Sequence, residues 1–138
     1  MKKIITYIFI LFAFTNCTDD DDKANPVVGT WKLVKTGNYG LSYDDGQIKE
    51  FFTDYSDKNI TYTFYPNSNL IINTDGKTET HKYEYKLDYL SEGPSPEERK
   101  EFLVFIDGSK WTYFSANHEE MVLGKSYVDA GDLYFVRQ

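Results

Sequence analysis

Lys82-Tyr83-Glu84-Tyr85-Lys86-Leu87-Asp88-Tyr89 is the stretch that decides the fold. Tyr83, Tyr85, Leu87 and Tyr89 take every second position, and Lys82, Glu84, Lys86 and Asp88 take those between. A helix, turning once in about 3.6 residues, would scatter the four large side chains around its axis. An extended strand puts all four on one face and the four charges on the other. The pattern predicts a half-buried antiparallel strand.

Shorter segments of the same kind lie on both sides. Residues 29–35 place Trp31 and Leu33 on one face and Thr30 and Lys32 on the other. Residues 60–65 alternate Ile60, Tyr62 and Phe64 with Thr61 and Thr63; Pro66-Asn67-Ser68-Asn69 turns the chain, and Leu70-Ile71-Ile72 returns it. Residues 102–106 run into Asp107-Gly108, a two-residue hairpin signal. Residues 110–115 carry Trp111 and Tyr113, Ala116-Asn117-His118 makes a turn into 119–123, and 133–137 ends the series. The 17% aromatic content suits pleated surfaces. Eight segments with mostly short links predict an all-β fold, an eight-stranded antiparallel up-and-down barrel closed by pairing its first strand with its last.

Two connections are long. Residues 37–58 are polar but carry Tyr39, Tyr43, Phe51, Phe52 and Tyr55, and a short helix is expected near residues 48–52. A loop of this length is a candidate lid or interaction segment, with Phe51, Phe52 and Tyr55 as anchors. In residues 91–100, Ser95-Pro96-Glu97-Glu98 fits one helical turn, with Ser95 as cap and Glu98 reaching back to it.

The N-terminus has a different character. Lys2-Lys3 precede an almost wholly apolar run of eleven residues, 4–14, interrupted only by Thr6. That is too short for a bilayer span of about 20 residues and suits the hydrophobic part of a signal peptide. Residues 1–16 are therefore expected to be a cleaved signal, residues 17–27 an anchor and acidic tether, and residues 28–138 the barrel. Loss of Lys2 and Lys3 would leave 13 basic residues against 22 acidic ones, a net of −9; without Asp19-Asp20-Asp21-Asp22 the remainder stands at −5. A negative surface repels phosphate backbones, so nucleic acid is not an expected partner. The aspartate run lacks the alternating oxygens and the glycine of a calcium loop. Cys17 is the single cysteine, which excludes an intrachain disulfide and a cysteine metal site. No cofactor or metal is expected.

Phe14-Thr15-Asn16-Cys17 resembles the lipobox of bacterial lipoproteins, with Phe14 and Asn16 where Leu and a small residue are usual. The resemblance implies acylation of Cys17 and a membrane anchor; a secreted protein with a free thiol is the alternative. The acidic block after Cys17 is similar to the surface-export signal of Bacteroidetes lipoproteins, which implies an outer-membrane anchor facing the cell exterior. Gly29-Thr30-Trp31, with Arg137 near the chain end, resembles the lipocalin family, in the lipocalin-like form of bacterial lipoproteins. That resemblance implies a barrel whose base is sealed by Arg137 packed on Trp31, a structural pair.

His81 and His118, the only histidines, lie among polar residues and are expected to be solvated. No nucleophile, carboxylate pair or phosphate loop converges, so no enzyme is expected. Tyr62, Phe64, Tyr83, Tyr85, Leu87 and Tyr89 would face the interior. There they either fill a core or line a pocket for a small hydrophobic or amphipathic ligand. A binding module is one reading; a filled barrel serving protein–protein contact or envelope assembly is the other.

Overall fold

The computed structural model describes residues 25–128 and 130–138. Nine strands follow one another: β1 Gly29–Leu41, β2 Ile48–Asp54, β3 Ile60–Phe64, β4 Asn69–Thr74, β5 Lys77–Asp88, β6 Glu101–Ile106, β7 Ser109–Asn117, β8 Glu120–Gly124 and β9 Asp132–Arg137. A short 3-10 turn, Ser126–Val128, precedes β9. Every pairing is antiparallel, in the order β2-β1-β3-β4-β5-β6-β7-β8-β9, and β1 also pairs with β9. Eight strands thus form a closed up-and-down barrel, and β2 is additional to it. The expected signal segment, Cys17 and the aspartate run lie outside the described residues.

Strand β1 has 13 residues, enough to take two neighbours on one edge. Its first part pairs with β3, Gly29↔Phe64 to Lys32↔Thr61, and its second with β2, Lys35↔Asp54 to Leu41↔Ile48. The register with β9 shifts between Leu33 and Lys35. Strict alternation would carry Lys35 inward behind Trp31 and Leu33. The bulge at Val34 turns it outward, opposite Tyr134, where its charge needs no burial.

Interior positions come from alternate residues of each barrel strand. Val27, Trp31, Leu33, Phe64, Leu70, Tyr83, Val104, Met121, Leu123 and Phe135 form one buried cluster. Ile60, Tyr62, Ile72, Tyr85, Ile106, Trp111, Tyr113 and Leu133 pack against it. Leu103 is also fully buried but lies outside this cluster, on the opposite face of β6 from Val104. The expected hairpin at Asp107-Gly108 is present with φ of 48° and 80°, the paired positive angles of a type I′ turn. Asp75-Gly76 makes a second, with φ of 51° and 90°.

Three expectations are corrected. Residues 48–52 are not helical: they begin strand β2, and most of the long 37–58 connection is a β-hairpin. Ile48, Phe51 and Phe52 have helical spacing, but in the strand Phe51 and Phe52 face opposite ways. Residues 95–98 form a turn closed by the Glu98 N–H donating to the Ser95 carbonyl at 3.1 Å. The Glu98 carboxylate accepts from the Ser91 backbone N–H and hydroxyl, and the Ser95 backbone acts on it as well. The body also begins before residue 28, since Val27 is fully buried and Asn25 donates to the Tyr83 hydroxyl at 3.4 Å.

Candidate functional site

The base of the barrel brings Trp31 and Arg137 together. The Arg137 guanidinium carbon lies 4.1 Å from the centre of the Trp31 ring. Its three nitrogens donate to the carbonyls of His118 at 2.7 Å, Val28 at 3.2 Å and Pro26 at 3.2 Å. The buried Trp31 indole N–H donates to the Val27 carbonyl at 2.7 Å. Cation–π contact contributes about 0.5–2 kcal/mol, and the carbonyl bonds fix the segment before β1 beneath the core. Gly29 completes the arrangement. A side chain there would place Cβ 2.5 Å from the Arg137 Nη1, and φ is +137°.

Four of the interior aromatics meet one another or other core rings. Tyr62 meets Phe135 edge-on with centroids 4.9 Å apart, and Phe64 meets Tyr83 in the same way at 4.9 Å. Tyr85 stacks on Phe102 at 5.0 Å and meets Tyr113 edge-on at 5.4 Å. The Tyr83 hydroxyl donates to the Tyr65 carbonyl at 2.8 Å. Burial raises the Tyr62, Tyr83 and Tyr85 hydroxyls above their ordinary range, with a carboxylate, Glu79, adding to the effect at Tyr62. The row expected to line the interior runs out beyond Tyr85. Leu87 is half exposed, and Tyr89 follows the end of β5, under the Lys100 ammonium at 5.2 Å.

Among the described residues, the β1–β2 hairpin is the largest collection of exposed apolar side chains. Pairings Gly37↔Phe52, Tyr39↔Glu50 and Leu41↔Ile48 put Tyr39, Leu41, Ile48 and Phe52 on one face; Phe51 lies on the other. All five are at least half exposed, and Tyr43 at the tip is fully so. The root of the hairpin is firmly built. Lys35 Nζ sits 3.9 Å from the Phe52 ring centre and 4.6 Å from that of Tyr134. Phe52 and Tyr134 meet edge-on at 5.6 Å, and the Tyr134 hydroxyl donates to Glu50 at 2.5 Å. Burial and that carboxylate push the Tyr134 hydroxyl well above its usual range. Beside the root an open groove of about 430 Å³ is lined by Val34, Lys35, Phe52, Asp54 and Ser56. Tyr55 is half-buried against the core and anchors the hairpin rather than presenting a contact.

His81 is not simply solvated. Its Nδ1 lies 2.6 Å from Asp107 and its Nε2 3.5 Å from Glu79. The Asp107 hydrogen bond holds the imidazole pKa above its ordinary value, while the Lys82 N–H bond, followed by His81, lowers Asp107. His118 occupies the β7–β8 turn. Among the described residues no three His, Cys, Asp or Glu side chains are grouped to hold a metal ion.

No family model, curated protein or solved structure matches the chain. Geometry is therefore what its function must be read from. The residues that sequence reasoning missed are Tyr39, Leu41 and Ile48 as one surface. Their alternation across the two hairpin strands carried the signal, but no buried face accompanied it.

Proposed function

We propose that the chain is a non-enzymatic, lipid-anchored surface protein whose barrel is a scaffold and whose β1–β2 hairpin docks another polypeptide. The carrying observation is the hairpin itself. Five exposed apolar side chains stand on a paired two-stranded ribbon, while Tyr62, Phe64, Tyr83 and Tyr85 are engaged with other rings of the barrel. Exposed apolar surface rimmed by polar groups is a mark of interaction sites. The anchor, the outer-membrane address and the lipocalin-like kinship rest on the Lys2-Lys3 start, Cys17, the aspartate block and Gly29-Thr30-Trp31 with Arg137.

A photo-crosslinker at Ile48 is expected to give a discrete protein adduct in intact cells. One at Phe114, which is about as exposed but on the barrel wall, is expected to give none. Equal adducts at both positions, or none at Ile48, would overturn the proposal.

One observation favours a second reading, an amphipathic small molecule inside the barrel. The Trp111 indole N–H is buried with no hydrogen-bond partner among the described residues, and Lys125 Nζ lies 4.5 Å from its ring centre. A ligand oxygen would satisfy that donor.

A further inference from the structure

Among the described residues, strand β2 pairs with β1 alone, which leaves its other edge open. Two bonds fix which groups that edge presents. The Ser42 N–H donates to the Gln47 carbonyl at 2.8 Å and the Tyr55 N–H to the Val34 carbonyl at 2.7 Å. Antiparallel pairs alternate between bonded and non-bonded. Hence Gly40–Lys49, Asn38–Phe51 and Thr36–Thr53 exchange bonds within the hairpin. Ile48, Glu50, Phe52 and Asp54 then turn their backbone N–H and C=O groups outward. Natural edges are guarded by proline, bulges, charged side chains or a covering segment. β2 contains no proline, and its register with β1 is unbroken. Its three charged side chains are all bound within the chain: Lys49 to Asp45 at 2.6 Å, Glu50 to the Tyr134 hydroxyl at 2.5 Å, and Asp54 to the Ser56 N–H at 2.8 Å.

We propose that this edge pairs with β2 of a second copy of the chain, antiparallel about a two-fold axis at Phe51. The inference rests on the hairpin-docking proposal and names its occupant. A two-fold axis between antiparallel edges lies normal to the sheet, so the two copies keep the same face. Centring it on Phe51 overlaps all seven residues of β2. The bonded pairs are then Ile48 with Asp54 and Glu50 with Phe52, each twice. The unbonded pairs are Lys49 with Thr53, twice, and Phe51 with its own copy. No like charges oppose one another, and the two Phe51 rings meet in the unbonded position, where side chains approach closer. Sliding by one bonded pair in either direction sets Glu50 against Asp54 or Glu50 against Glu50, which is unfavourable. Charge therefore selects the register that also buries the most backbone.

Sedimentation velocity of the purified full chain in density-matched detergent tests the pairing. The chain is expected to run as a dimer at about 50 µM, while Phe51→Lys and Phe51→Glu each weaken association at least about 100-fold by facing like charges across the axis. Mixing the two variants should restore a dimer, because Lys then faces Glu. Each variant must keep the urea midpoint of the parent chain. As a second readout, unsubstituted chain mixed from isotope-labelled and unlabelled copies should show nuclear Overhauser contacts between the two Phe51 rings. A monomeric parent chain, variants that still dimerise, or a mixture that stays monomeric would each overturn the pairing. If the purified chain is monomeric yet Ile48 crosslinks to a different protein in cells, self-pairing fails and hairpin docking stands. If Ile48 gives no adduct, docking fails as well.

Discussion

Trp31→Ala is expected to lower the unfolding free energy by about 3–5 kcal/mol, the range for truncating a buried aromatic. Trp31 is fully buried, and its loss removes three things together. The core cluster loses its largest member, the Val27 carbonyl loses its donor, and the Arg137 guanidinium loses the ring beneath it. Stabilities of small domains lie in the range of about 5–15 kcal/mol, so this one change can remove a large part of the total. Urea titration followed by far-ultraviolet circular dichroism measures it. Trp31→Phe separates the contributions, because it keeps a ring but abandons the Val27 carbonyl, at about 1–3 kcal/mol. A shift of less than about 1 kcal/mol for Trp31→Ala would mean that the base is not sealed as described.

Gly29→Ala is expected to destabilise by about 2–4 kcal/mol. An L side chain at φ +137° is strained, by roughly 1–2 kcal/mol, and its Cβ would stand 2.5 Å from Arg137 Nη1. The guanidinium must then leave the Trp31 ring, losing a further 0.5–2 kcal/mol or so. The spacing of Gly29 and Trp31 thus acquires a physical reason: the missing Cβ is the space the guanidinium occupies. A double-mutant cycle with Arg137→Gln isolates that part. In the Arg137→Gln background, the penalty of Gly29→Ala should fall toward the backbone strain alone. An unchanged penalty would mean that Arg137 does not occupy that space.

Much of the barrel could be read from the sequence because a closed sheet leaves one wet face and one dry face. Tyr83 and Tyr85 between Lys82, Glu84 and Lys86, and Ile60, Tyr62 and Phe64 between Thr61 and Thr63, show that contrast residue by residue, and Asp107-Gly108 announces its own turn. What escaped notice lacks the contrast. Strand β2 is exposed on both faces, so Ile48, Phe51 and Phe52 fell into a helical spacing that means nothing there. The first half of β5, Lys77 to Lys82, is polar on both sides and was silent for the same reason. The bulge at Val34 also left no mark, because it corrects the alternation rather than following it. For the site, Phe51 and Phe52 stood out by composition, but their union with Tyr39, Leu41 and Ile48 required the pairing of two strands.

In this account interior packing serves the fold and the hairpin serves recognition. Tyr62, Phe64, Tyr83 and Tyr85 close against neighbouring rings, whereas Tyr39, Leu41, Ile48, Phe51 and Phe52 meet solvent. Native mass spectrometry of the full chain, after incubation with a total lipid extract, weighs these two uses most directly. The expected spectrum holds the polypeptide with no non-covalently retained small molecule. A stoichiometric amphiphile that stays bound, and is lost when Trp111 is replaced by Phe, would contradict the account and put recognition inside the barrel.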